Sequence, residues 1–262
     1  MSVAVGLDVG ATKIAAARVD TATGEIQASR RIPTAPARGA GVVLADCRRL
    51  AAELGDGLPA GLAVCELVDP AGRVRSAETI DWRGADLLAE FAAVEADVRA
   101  GALAEARFGA GREHPDFLYV TVGSGISHCL MSHGVPRIGV RGAAIGTGAP
   151  LVERWSSGLA LARRTGHASA QDALADPEAE DVAEDAAQRL GVALAALVNA
   201  LDPGAVIVGG GLGLDDGYRA RVERALRADV YDPEARALPV LPAALGADAP
   251  AIGAALAAVV RE

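Results

Sequence analysis

The sequence predicts a duplicated α/β fold: two βββαβα-like halves with a cleft between them. Three observations carry this reading. A short apolar strand, Val3–Leu7, empties into a glycine turn at Asp8-Val9-Gly10. The same device returns in mid-chain, where Asp116–Thr121 runs into Gly123-Ser124-Gly125. The length of 262 residues, 51% of them apolar, is enough for a sizeable core in one large domain or two small ones.

The elements follow in order. Val3–Leu7 and Lys13–Val19 flank the first turn, and Thr21-Ala22-Thr23-Gly24 leads to a third strand over Ile26–Ile32. Gly41–Leu54 has helical spacing through Val42, Val43, Leu44, Cys47 and Leu50. Leu62–Val68 is the next strand, closed by the turn Asp69-Pro70-Ala71-Gly72. Asp86–Phe91 is a short helix, and a longer one opens at Asp97 and runs to Phe108. In the second half, Asp116–Thr121 and Cys129–Met131 are strands, and a glycine-rich stretch covers Gly139–Gly148. Leu151–Leu201 is mainly helix, interrupted at Thr165–Ala168 and at Pro177. Asp202-Pro203-Gly204 ends it, Ala205–Val208 is a strand running into Gly209-Gly210-Gly211, and Ile252–Val260 is an apolar tail helix. The domain boundary is set at residue 97: residues 1–97, rejoined by a C-terminal helix at 250–262, form one domain, and 98–249 the other.

Composition removes several function classes. The net charge of −9 and the lack of a basic cluster speak against nucleic-acid binding. No stretch has the apolar length of a membrane span, and Met1-Ser2-Val3 is no charged signal-peptide start, so a cytoplasmic protein is expected. Cys47, Cys65 and Cys129 are odd in number and widely spaced, and read as reduced, buried thiols. Alanine is abundant and aromatics make up 3% of the chain, which points to cores of Ala, Val and Leu. Lys13 is the only lysine, so no G-x-x-x-x-G-K-[ST] loop exists anywhere.

That lysine closes Asp8-Val9-Gly10-Ala11-Thr12-Lys13, the first of three glycine turns that each follow a strand; the others are Gly123-Ser124-Gly125 and Gly209-Gly210-Gly211. Glycines let backbone N–H groups approach phosphate oxygens, so the three together point to a nucleotide. None matches G-x-G-x-x-G. Asp8, at a strand end, is placed to hold a metal-bound water. Asp97 heads an alanine-rich helix and reads either as a helix N-cap or as a carboxylate that takes a substrate hydroxyl proton. His128, Cys129 and His133 lack the spacing and the fourth ligand of a zinc site.

These motifs resemble the ROK family of sugar kinases and regulators, in the actin-like (ribonuclease H-like) superfamily. Gly6–Ile14 resembles its first phosphate motif, Thr121–Ile126 the second, and Val198–Pro203 with Ile207–Gly211 the adenosine motif. Glu95-Ala96-Asp97 with Ala102–Gly109 resembles the signature that carries the catalytic base. The resemblance implies a sugar-side N-terminal and a nucleotide-side C-terminal domain, and an ATP- and Mg²⁺-dependent homodimeric kinase acting on a hydroxyl of a hexose, amino sugar or cyclitol. It makes Asp97 the base and Asp8 the Mg²⁺ holder through water. Gly10, Ala11, Thr12, Lys13, Gly123, Ser124 and Gly125 become phosphate ligands, and Gly209, Gly210 and Gly211 pass under the adenosine. Glu66, Glu78, Asp81 and Glu153 are the substrate-pocket candidates. The alternative is a non-catalytic sugar sensor that kept the fold.

The departures are specific. The family's zinc module is missing between Gly142 and Glu153, so no zinc site is expected. Ala96 and Arg99 replace two asparagines beside the base, with Arg99 expected to face solvent. Cys65-Glu66 replaces a Pro-Gly. Carboxylates at Glu66 and Glu153 lead to the expectation that a protonated amine is preferred over plain glucose.

Overall fold

The computed structural model of the chain describes residues 2–146 and 151–259. Thr147 and Gly148 of the glycine-rich stretch, and Val260 of the expected tail helix, lie outside them. The strands are β1 (Val3–Val9), β2 (Lys13–Asp20), β3 (Ile26–Pro33), β4 (Ala60–Val64), β5 (Ala93–Ala96), β6 (Phe117–Val122), β7 (Ile126–Ser132), β8 (Val135–Pro136), β9 (Val206–Gly209) and β10 (Val240–Pro242). The helices are α1 (Ala40–Gly55), α2 (Asp97–Phe108), α3 (Leu151–Ser156), α4 (Gly158–Thr165), α5 (Ala170–Ala175), α6 (Glu180–Leu201), α7 (Asp216–Asp229) and α8 (Ala249–Val259).

The strands form two five-stranded sheets, ordered β3-β2-β1-β4-β5 and β10-β9-β6-β7-β8. The orders are the same plan used twice. In each, a central strand (β1 or β6) pairs antiparallel with the strand that follows it and parallel with one reached by a crossover. The duplication expected from the repeated strand-and-glycine device is therefore present in the hydrogen-bond ladders.

The chain forms two compact units. The first comprises residues up to Arg112, Val135–Ile145 and the chain from Asp248 onward; the second comprises Glu113–Gly134 and the chain from Gly146 to Ala247. The boundary expected at residue 97 falls at Arg112 instead, because α2 packs on α8 and on the first sheet.

Alanine and glycine build the first unit's core at backbone distance. Ala63 of β4, Ala100 of α2 and Ala254 of α8 form one buried cluster. A Cβ on Gly6 would lie 1.8 Å from the Ala251 carbonyl oxygen, and one on Gly253 would lie 1.7 Å from that of Ala100. Only hydrogen fits at these two crossings, which locks α8 onto β1 and α2. The second unit has a bulkier core, with Leu118, Val120 and Val208 of the sheet packed against Leu190, Leu194 and Val198 of α6 and Val222 and Leu226 of α7.

Several elements differ from expectation. β4 stops at Val64 rather than Val68, because its partner β5 ends at Ala96, where α2 begins; Val68 instead bridges to Val74. The short helix at Asp86–Phe91 is one 3-10 turn over Leu87–Ala89, capped by Asp86. β5 and β10 have four and three residues, too short for a period to register. The unforeseen α7 buries Tyr218, Val222 and Leu226, a stripe at four-residue spacing that helical periodicity reads directly. Cys65 is exposed, whereas Cys47 and Cys129 are buried as expected.

Candidate active site

Three parallel strands of the first sheet end side by side, with Val9 opposite Val64 and Val64 opposite Ala96. Ligands of open α/β sheets bind at the carboxyl ends of parallel strands. In this chain those ends deliver Asp8 from β1, Cys65 and Glu66 from β4, and Asp97 from β5.

Asp97 is the first residue of α2. Ala96 holds the N-cap position and makes no side-chain cap, so Asp97 is not the N-cap. Its Oδ1 instead accepts the neighbouring Val98 N–H at 2.7 Å. Burial pushes the carboxyl up to about 6, helped by the Glu66 charge and opposed by the Val98 N–H, the Cys65 thiol and the Arg99 charge. A carboxylate tuned into this range is a competent base near neutral pH.

Asp8 lies close enough to feel it. Burial pushes Asp8 up to about 7; Asp97 and Asp248 add to the rise, while Lys13 offsets part of it. Two partly buried carboxylates, with the charge of Asp97 raising the proton affinity of Asp8, make a site rich in negative charge and in oxygen donors. That donor set fits a hard divalent cation such as Mg²⁺, which keeps most of its waters.

The turn from β1 to β2 is pinned from within. The Gly10 N–H donates to the Lys13 carbonyl at 3.1 Å, the Thr34 hydroxyl to the Gly10 carbonyl at 2.8 Å, and the Thr34 N–H to the Thr12 carbonyl at 3.1 Å. Gly10 therefore spends its N–H on the turn rather than on an anion. Ala11, Thr12 and Lys13 are exposed at the tip.

Glu66 has a different role from the one expected. It is buried, and its Oε1 accepts the N–H groups of Thr79 and Ile80 at 2.7 and 3.0 Å. Its Oε2 accepts the Glu78 N–H at 2.9 Å and the Ser76 hydroxyl. A carboxylate has about four lone-pair positions, and these four donors fill them, so Glu66 holds the 76–80 loop and has no acceptor left for a substrate. Glu78 is exposed in that loop. Asp81 is exposed too, forked to Arg83 at 2.7 Å through both oxygens, and those hydrogen bonds hold it down at about 2.

Arg99 is the largest correction. It is fully buried rather than facing solvent. Its Nε donates to Glu95 at 2.6 Å, its Nη2 to the Val68 carbonyl at 2.6 Å, and its Nη1 to the Gly142 carbonyl at 3.2 Å. The signal available in the sequence is an acidic residue, Glu95, four positions before Arg99; it lies on β5 and Arg99 in the first turn of α2.

In the second unit, the Gly123 N–H closes its own turn on the Gly125 carbonyl at 2.9 Å, leaving Ser124 exposed at the tip. Glu153 lies against this turn: its Oε2 accepts the Ile126 N–H at 2.8 Å. It belongs to the second unit, with the second and third glycine turns, whereas Asp97 belongs to the first. The third turn is clamped on the second, since the N–H groups of Leu212 and Gly213 donate to the Val122 carbonyl at 2.9 and 3.0 Å. Gly210 has φ 82° with its Cα against the Val122 backbone, so this juncture admits no side chain. Gly209 is buried and Gly211 exposed. His133 is exposed beside Asp116, His128 is buried on β7, and among the described residues no three His, Cys, Asp or Glu side chains gather as a metal site.

The ROK family matches residues 4–260. This chain belongs to the ROK family. The bifunctional enzyme NanE/NanK of Brucella melitensis is 35% identical over 179 residues, spanning 61% of the chain and 33% of that relative. The chain thus spans about a third of the length of the curated relative it matches there. The glucokinase of Streptomyces coelicolor is 29% identical over 97% of both chains. Among solved structures, a ROK family glucokinase from Streptomyces griseus in complex with glucose and AMPPNP has a TM-score of 0.82 and 28% identity, covering 97% of this chain and 98% of that one. The fold of this ROK protein is the actin-like two-domain α/β fold.

Proposed function

We propose that this ROK protein is a kinase that transfers the γ-phosphoryl group of ATP to a hydroxyl of a neutral hexose. The observation that carries the reading is Asp97, a partly buried carboxylate pushed up to about 6 at the end of β5, with Asp8 beside it. In this assignment Asp97 accepts the proton of the acceptor hydroxyl as the new O–P bond forms. Phosphoryl transfer asks for little more than such a base, alignment and charge stabilisation. Asp8 holds Mg²⁺ through water, and the bound ion supplies the positive charge that offsets the phosphates. Lys13 adds the one lysine charge in the chain, and Thr12 and Ser124 present hydroxyls at exposed turn tips. Gly209, Gly210 and Gly211 are assigned to the adenosine.

The preference for a neutral acceptor follows from Glu66. The expectation of an amine rested on the charges of Glu66 and Glu153 both facing substrate; the lone pairs of Glu66 are taken by the 76–80 loop, and Glu153 accepts the Ile126 N–H in the second unit. The glucokinase relatives support the same class. The reading also carries Mg²⁺ dependence, a homodimer and a cytoplasmic location; among the described residues no helix is long and apolar enough to cross a membrane.

The test is ATP consumption by the purified protein across hexoses, amino sugars and cyclitols. Turnover on a hexose at about 1–100 per second, the usual range for kinases, is the expected result. Sugar binding without ATP consumption on any acceptor would make the protein a sensor instead.

A further inference from the structure

Arg99 is a fully buried guanidinium outside the groups assigned to phosphoryl transfer, two residues after the base. Three chain segments meet on it. Glu95 comes from β5, the Val68 carbonyl from the loop after β4, and the Gly142 carbonyl from the 139–145 segment after β8. The two loops touch at the same place. Gly142 has φ 73°, and a Cβ there would lie 1.9 Å from the Val68 carbonyl oxygen. Glu66 holds the other half of the first loop through Ser76, Glu78, Thr79 and Ile80. A buried anion and a buried cation thus clip both ends of the 66–80 loop beside Asp97, and the cation alone also clips the 139–145 segment. That segment carries the exposed side chains of Val140 and Arg141, and the exposed Arg137 lies just before it.

We propose that Arg99 is a positioning residue for the acceptor: it ties the 66–74 and 139–145 loops to the first turn of α2, so that the loops flanking Asp97 and the base itself form one rigid wall. The proposal rests on the kinase reading above for its kinetic consequence, but the clip itself does not. A guanidinium suits the task because its planar fork reaches two carbonyls and a carboxylate at once. An ammonium keeps the charge and loses that geometry.

Arg99→Lys is the first variant, and Gly142→Ala the second. The alanine pushes the 139–142 backbone off Val68 while leaving every charge in place, so it serves if the buried lysine fails to fold. Each is compared with the wild type by hydrogen exchange of the whole protein and by steady-state kinetics with hexose and ATP. Expected are about tenfold or faster exchange in peptides covering 66–74 and 137–146, unchanged exchange in β6 and α6, and a tenfold rise in the acceptor KM. The kcat should stay within threefold and the KM for ATP should be unchanged. Exchange confined to neither loop, or an unchanged acceptor KM in a variant with released loops, would overturn the positioning role. If the wild type phosphorylates no acceptor, the kinase reading fails, while the exchange data still decide whether Arg99 and Gly142 clip the loops.

Discussion

β4 and β5 run side by side, and each ends within two residues of an acidic side chain: Glu66 after Val64, and Asp97 after Ala96. Both carboxylates sit at the same edge of one sheet, yet their surroundings separate them. Glu66 is met by three backbone N–H groups and a hydroxyl, and is consumed in holding a loop. Asp97 is met by one adjacent N–H and the Cys65 thiol, and is left with a raised proton affinity among other carboxylates. One strand end is used for architecture and the next for chemistry. The difference lies in how many donors the following segment turns back onto the carboxylate, not in residue type or strand position.

The sharpest way to break this comparison is to remove the charge from the architectural member. Glu66→Gln turns an NH₂ toward donors that need an acceptor, and hydrogen bonds to charged groups contribute about 1.5–3 kcal/mol each. It should therefore destabilise the protein by about 2–4 kcal/mol in denaturant titrations. Below the lowered melting temperature, kcat should stay within about threefold, and the ratio of kcat/KM for amino sugar and glucose should not move. A shift in that ratio would return Glu66 to the substrate.

A second effect concerns pH and activity. If Asp97 must be ionised to take a proton, kcat/KM should fall about tenfold per pH unit below about 6. Asp8, pushed up to about 7, couples to it, so the measured limb belongs to the pair. A profile flat down to pH 5 would contradict the assignment.

A smaller effect concerns stability. A carboxylate whose folded pKa is raised contributes stability that is fully present below its unfolded value near 4 and lost as pH rises through about 6. Asp97→Asn removes that loss, so at pH 8 the variant should be more stable than the wild type by on the order of 1–3 kcal/mol, with the gap closing toward pH 4. Melting curves at the two pH values check the sign. Smallest is Cys65→Ser, which keeps a donor to Asp97 and should change kcat by less than about threefold.

Much of this was legible in the sequence where local pattern dictates structure. The paired strand-and-glycine turns, the helix opening at Asp97 and the alanine core follow from periodicity and composition. What was not legible depends on contacts from far along the chain. Glu66 is filled by residues 76–80, and Arg99 by carbonyls at 68 and 142. Nothing adjacent in sequence announces those partners, so a buried arginine in a helix reads as solvent-facing and a saturated glutamate as available. The Gly10 amide is a related case: its partner, the Lys13 carbonyl, belongs to the turn's own closure, which the glycine pattern alone does not announce.

The central claim, that of the two neighbouring strand ends only Asp97 performs chemistry, is tested most directly by kcat of Asp97→Asn at pH 8 with hexose and ATP saturating. The asparagine preserves size and leaves the Val98 N–H an acceptor, so the fold and nucleotide binding should persist. The account predicts a fall of about a hundredfold or more, the scale of general-base loss, in a protein at least as stable as the wild type. A kcat within about threefold of wild type would contradict it and leave Asp97 as a structural carboxylate like Glu66.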